Sequence, residues 1–174
     1  MQKVLKSACK QVLALAAVAG LVLALAGCVA GPQQAATGEN ANANSQYMAQ
    51  VNQAVEELST KLGAFDDAVS RNDVVSMRTQ ADGAFAALDK LDQLQPPEAL
   101  KEVQEYYSDG CASLKEALSG YVDLYTEIDS ATDQQPFDYS TYEQRLSSIQ
   151  SAYDTGLQAL RAGDQKVTEL RSDQ

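Results

Sequence analysis

The side chains able to do chemistry in this 174-residue chain are 24 carboxylates, eight tyrosines, three cysteines and scattered serines, with no histidine at all. Without an imidazole, Ser-His and Cys-His nucleophile pairs, histidine general bases and histidine metal ligands are excluded. Carboxylate-rich helical bundles can hold two metals, but that arrangement draws a Glu-x-x-His from each of two helices. The groups Glu56-Glu57, Asp66-Asp67 and Asp82, Asp89, Asp92 flank apolar positions and read as solvated faces. Asp129, Asp133 and Asp138 are too sparse for a calcium loop, which needs oxygen ligands at alternating close positions. No serine stands in Gly-x-Ser-x-Gly, and Ser113-Leu114-Lys115 does not reproduce Ser-x-x-Lys. Cys111 falls among apolar positions at helical spacing, with no basic residue on that face to lower its pKa, and reads as a small core side chain. No catalytic residue, metal ligand or cofactor follows from these patterns. The 13 basic residues leave a formal charge of −11, which argues against nucleic acid, because phosphate binding needs a basic face.

Cys28 is the exception. Lys3, Lys6 and Lys10 precede an apolar run from Val12 to Ala26, broken only by Gly20, and small residues follow it. That is the layout of a secretory signal, and the run is too short to span a bilayer comfortably. It ends in Leu25-Ala26-Gly27-Cys28, which resembles the lipobox of bacterial lipoproteins. The resemblance implies that the Cys28 thiol receives diacylglycerol and that a signal peptidase cuts between Gly27 and Cys28. It also implies that the mature chain hangs on the extracytoplasmic face of a membrane. Two acyl chains hold a protein on a bilayer where one does so only marginally, each buried CH₂ contributing about 0.8 kcal/mol. Cleavage would remove three lysines and no acid, leaving 10 basic against 24 acidic residues and a charge of −14. Such a chain is repelled by anionic headgroups. Cys9 would leave with the signal, so Cys111 would be the only free thiol and no internal disulfide could form.

Residues 28–45 carry Gly, Ala, Gln, Asn and Thr with no apolar period and read as a flexible tether, with a reach of roughly 20 to 25 Å. From 46 to 174 the apolar residues recur at threes and fours, the signature of amphipathic helices. The first set is Met48, Val51, Val55, Leu58, Leu62, Phe65 and Val69; the second is Val74, Met77, Ala81, Ala84, Leu88 and Leu91. The phase slips between them at Ser70 to Asp73, where a hairpin capped by Asn72 or Asp73 is preferred to one long kinked helix. Pro96-Pro97 ends the second helix and opens a third, with Leu100, Val103, Tyr107, Cys111, Leu114, Leu118, Tyr121, Tyr125 and Ile128. Ser140-x-x-Glu143 has the spacing of a capping box ahead of the fourth set, Tyr142, Leu146, Ile149, Tyr153, Leu157, Leu160, Val167 and Leu170. The fold class predicted is all-α, an antiparallel up-and-down four-helix bundle. The succession of lipobox, polar tether, helix pair, Pro-Pro and helix pair resembles small helical surface lipoproteins of Gram-positive bacteria, a likeness that carries no catalytic motif.

Two side-chain distributions qualify this picture. Seven of the eight tyrosines lie in the second half, and of these only Tyr106 and Tyr139 fall clearly off the apolar seams, too few to outline a groove. Gly63, Gly83, Gly110 and Gly156 each stand inside a helix, where glycine costs about 1 kcal/mol relative to alanine. Folding the chain at its three turns brings the four to nearly one height. They therefore suggest either a waist where backbones approach closely or a layer open to a small ligand. The function expected is a membrane-anchored interaction or accessory module of the cell envelope, not an enzyme, held to the membrane by the lipid on Cys28 and engaging an envelope protein. A carrier of a small apolar ligand or a cation is the alternative, and an enzyme using carboxylate or tyrosine chemistry a lesser one.

Overall fold

A computed structural model describes residues 38–172, and within them four helices run up and down as an all-α bundle: α1 (Gly38–Ser70), α2 (Val74–Asp92), α3 (Lys101–Ser130) and α4 (Tyr142–Ser172). The expected apolar sets form its core. Every seam residue of α1 from Met48 to Val69 is buried, as are Met77 to Leu91 on α2 and Leu100 to Tyr121 on the third element. The expected lipid site at Cys28 and the cleavage position Gly27 lie outside the described residues.

α1 starts earlier than its apolar period. Residues 38–45, read from composition as the end of a tether, continue the helix toward the N-terminus. Extending a helix costs far less than nucleating one, and the packed turns from Tyr47 onward supply the nucleus. Side chains reinforce the extension, with Ser45 Oγ donating to the Ala41 carbonyl at 2.8 Å and Gln46 Nε2 to Asn42 Oδ1 at 3.2 Å. The 33 residues of α1 make a rod about 50 Å long.

The slip in apolar phase at residue 70 is a hairpin. Asn72 takes a left-handed conformation, φ 53°, which asparagine tolerates better than branched residues do. The Asn72 amide then reaches the Val69 carbonyl and the Asp73 amide the Ala68 carbonyl, both at 3.0 Å, the paired bonds of a Schellman ending. Asp73 immediately caps α2, its carboxylate accepting from the Ser76 amide at 3.0 Å. The Ser76 bonds hold its carboxyl below the ordinary carboxylate range. Across the hairpin Lys90 pairs with Glu57 at 2.6 Å.

After Pro96 and Pro97 a short 3-10 turn, Glu98–Leu100, leads into α3. The last connection corrects one detail of the sequence reading. The cap ahead of α4 is Asp138, which accepts from the Ser140 amide at 2.9 Å and starts a 3-10 turn over Tyr139–Thr141, so the helix proper begins at Tyr142, beyond the expected Ser140 cap.

Helix packing is uneven. α3 and α4 approach most closely, α1 lies on α2 and α2 on α3, whereas α1 and α4 have no comparable approach. Glycine explains the tight pair. A Cβ built on Gly110 would stand 2.7 Å from Leu160 Cδ2 and 3.0 Å from the Gly156 carbonyl oxygen; one on Gly156 would meet Leu114 Cγ at 2.7 Å and the Gly110 oxygen at 3.0 Å. The same seam continues through Gly163, flat against the Tyr107 ring, and Gly120, against Ile149. As α3 rises from Tyr107 to Gly120, α4 descends from Gly163 to Ile149, in antiparallel register.

Gly63 and Gly83 do not join this waist. Gly63 is exposed with nothing within 4 Å of an added Cβ, and Gly83 meets only the Lys61 stem. Gly63→Ala should therefore stabilise the domain by about 0.5 to 1 kcal/mol through helix propensity. Gly110→Ala or Gly156→Ala should gain nothing and lose up to about 2 kcal/mol net, since overpacking costs about 1 to 3 and propensity returns about 1. Urea unfolding followed by circular dichroism measures both signs, and equal effects at Gly63 and Gly156 would contradict the seam assignment.

Candidate functional site

Two places concentrate polar chemistry: the end of the bundle where α2 gives way to α3, and the outer flank of α3 and α4. The first exists because α2, with 19 residues, is far shorter than α1, α3 and α4. Its carboxyl end stops inside the bundle, where the last carbonyls of a helix lack partners of their own. Gln104 supplies them. It is the one buried polar side chain named among the described residues, and its Nε2 donates to the Leu91 and Asp92 carbonyls at 3.1 and 2.9 Å. Its Oε1 accepts the Tyr47 hydroxyl at 2.6 Å, so one amide ties α1, α2 and α3 together.

One turn further along α3, Tyr107 donates its hydroxyl to Asp164 Oδ1 of α4 at 2.8 Å. Burial pushes the Tyr107 phenol well above its ordinary range, and the Asp164 carboxylate raises it further. Tyr47 is likewise pushed up by burial. Asp164 is shifted upward as well, because burial disfavours its charge more than the Tyr107 hydrogen bond favours it. Both tyrosines therefore stay protonated donors at neutral pH. Neither is an acid or base that could cycle there.

Cys111, beside this cluster, is 1% exposed, and burial pushes its thiol up to about 12, with the Asp92 carboxylate adding to the shift. That is the opposite of the low-pKa environment of a reactive cysteine. Tyr121 and Tyr125 stack at 4.7 Å, and Tyr121 meets Phe65 edge-on at 5.6 Å. Tyr121, Tyr142 and Tyr153 are buried, and Tyr153 is raised to about 12 chiefly by burial. These rings belong to the core, as their places on the seams indicate. Tyr139 stands half exposed with Phe137 at 4.8 Å, at the end of the bundle opposite the start of α1.

The second place is a groove between α3 and α4 with a volume of about 810 Å³. Gly120, Ile149 and Ala152 are among its lining, together with Glu116, Asp123 and Glu127 of α3 and Arg145 of α4. Arg145 forks onto Glu127 with contacts of 2.5 and 2.8 Å, and that hydrogen bonding holds the Glu127 carboxyl below its ordinary range. Sequence reasoning assigned these acids to solvated faces and did not single out the groove. The available signal was the row Glu116, Gly120, Asp123, Glu127, whose spacing of four, three and four places all of them on one stripe of α3 beside the apolar seam.

Of the four glycines expected to form a layer, the structure brings Gly110 and Gly156 together and leaves Gly63 and Gly83 apart from them. Leu114 and Leu160 occupy the space at the contact. Among the described residues no group of three or more acids or cysteines is arranged to hold a metal, and no helix is long and apolar enough to cross a membrane. No family model matches the chain, and comparison with curated proteins and with solved structures returns no match.

Two consequences are measurable. A carboxyl whose folded pKa lies above its unfolded value binds more protons in the folded state between the two, so its contribution to stability falls as pH rises through that interval. Asp164→Asn keeps an acceptor for Tyr107 and removes the charge, so the variant should melt higher than the parent at pH 7. The gap should close below about pH 4, where Asp164 is protonated in both states; a gap constant with pH would contradict the shift. For Cys111, a disulfide reagent at pH 7.5 should label a Cys9→Ser, Cys28→Ser variant only on global unfolding, so the labelling rate should follow urea concentration.

Proposed function

We propose that this chain is a lipid-anchored, extracytoplasmic helical module that acts by contact with an envelope protein and performs no chemistry of its own. The observation that carries this reading is Leu25-Ala26-Gly27-Cys28 following a basic segment and an apolar run. The domain's design supports it. Gln104 and the Tyr107–Asp164 pair are spent on helix ends and helix pairing, and the buried Cys111 thiol is held protonated.

Helix α1 begins ten residues beyond Cys28, so residues 38–45, expected as tether, are rod. Phe137 and Tyr139 stand at the end of the bundle away from the start of α1, and so away from an anchor at Cys28. A domain of charge −14 on such a stem stands off anionic lipid.

Cys28→Ala is the direct test. The parent should incorporate a clickable fatty acid and partition with membranes, whereas the variant should lose the label while its circular dichroism is unchanged. Quantitative retention of the variant on membranes would mean that the apolar run itself is the anchor, and turnover of a defined substrate by the purified domain would replace the non-enzymatic reading.

A further inference from the structure

The groove on the outer flank of α3 and α4 has a mixed character: Gly120, Ile149 and Ala152 give it an apolar, small-residue lining, and its α3 side carries Glu116, Asp123 and Glu127. We propose that it is the docking site for a basic amphipathic helix of an envelope protein. The proposal rests on the reading of the chain as an envelope interaction module and names the chemistry of its partner.

Three observations select that occupant. The first is charge: Arg145 is the single cation in the lining, and it is engaged by Glu127. Glu116 has no ion pair among the described residues, and Asp123 has only a longer-range attraction to Arg145, so three carboxylates face one cation and the groove keeps an excess of negative charge. The second is spacing. Residues 116 and 123 lie in one axial row, separated by about 10.5 Å at 1.5 Å per residue. A partner helix with cations at i and i+7 reaches both, while Gly120 and Ala152 leave room for its apolar side to approach. An extended strand repeats a face roughly every 6.6 to 6.8 Å and does not match that interval.

The third is position. The groove spans the half of α3 that ends at Ser130, remote from the start of α1 and so from the anchor, which places it out of reach of headgroups and favours a protein over a lipid. A second copy is disfavoured as occupant, because each mature chain carries −14 and like charges oppose the encounter.

The test uses the full chain purified in neutral detergent, with an 18-residue leucine-alanine helical peptide bearing lysines at i and i+7, and a scrambled peptide of the same composition. By fluorescence anisotropy the matched peptide should bind at least tenfold more tightly than the scrambled one. Glu116→Gln with Asp123→Asn should weaken it about tenfold and flatten its salt dependence, since screening acts on exposed charges. Ser148→Trp, a change at an exposed lining position, should block binding while leaving the melting temperature within about 2 °C of the parent, as surface substitutions usually do. Equal binding of the two peptides, or equal binding by the parent and the neutralised variant, would overturn the proposal. Sedimentation showing a dimer that the matched peptide dissociates would make a second copy the occupant and overturn it too. Binding in detergent does not depend on acylation, so failure of the anchor at Cys28 and failure of the groove are separate results.

Discussion

The close approach of α3 and α4 at Gly110 and Gly156 is the contact on which the rest of the bundle is arranged. With each carbonyl oxygen 3.0 Å from where the other residue's Cβ would stand, there is no room for a side chain between the two backbones, and Leu114 and Leu160 must pack over the gap. That fixes the axial register of the pair. Register in turn puts Gly163 under the Tyr107 ring, Tyr107 against Asp164, and Arg145 opposite Glu127. Four glycines in two helices are a real cost in conformational entropy. The offsetting gain is dispersion contact along a seam where ordinary side chains would hold the helices farther apart.

The opposite pairing is handled by polar groups. α2 ends early, and a truncated helix in a bundle leaves unpaired carbonyls where a core should be. Gln104 and Tyr47 convert that weakness into a joint among three helices, and every donor and acceptor in it is a neutral group. Neutral partners avoid the desolvation penalty that a buried ion pair would bring. The ion pairs present, such as Lys115 with Asp89 and Lys166 with Glu102, sit toward the surface, where each contributes roughly 0 to 1 kcal/mol. Stability therefore comes from packing and from this joint, and the excess of negative charge is free to be a surface property.

A division of labour follows. Much of the interior is settled for structure, with the Cys111 thiol held protonated and Tyr47, Tyr107 and Gln104 hydrogen-bonded. The outer surface is acidic, and between α3 and α4 it is also concave. That combination suits the recognition module proposed above better than a vessel for chemistry.

Helix number, helix seams and the all-α class were legible in the sequence, because burial acts on side chains at a fixed helical period and the apolar residues here keep that period with few breaks. The hairpin at Asn72 and the break at Pro96-Pro97 were legible for the same local reason. Local pattern misled where packing overrides composition. The Asn-rich residues 38–45 are helical because a packed nucleus adjoins them, and a 3-10 turn capped by Asp138 precedes α4 where the sequence suggested that Ser140 opens the helix directly. Gly63, Gly83, Gly110 and Gly156 show the limit most clearly. Turn positions set the height of each along its helix, but which way it faces depends on helix rotation, and that is decided by all the contacts of the bundle at once. The sequence by itself determined the charge, the absence of histidine and the helical periods; only the tertiary structure decided which glycines meet, which carbonyls Gln104 satisfies and which acids share a groove, since these depend on register between helices distant in the chain.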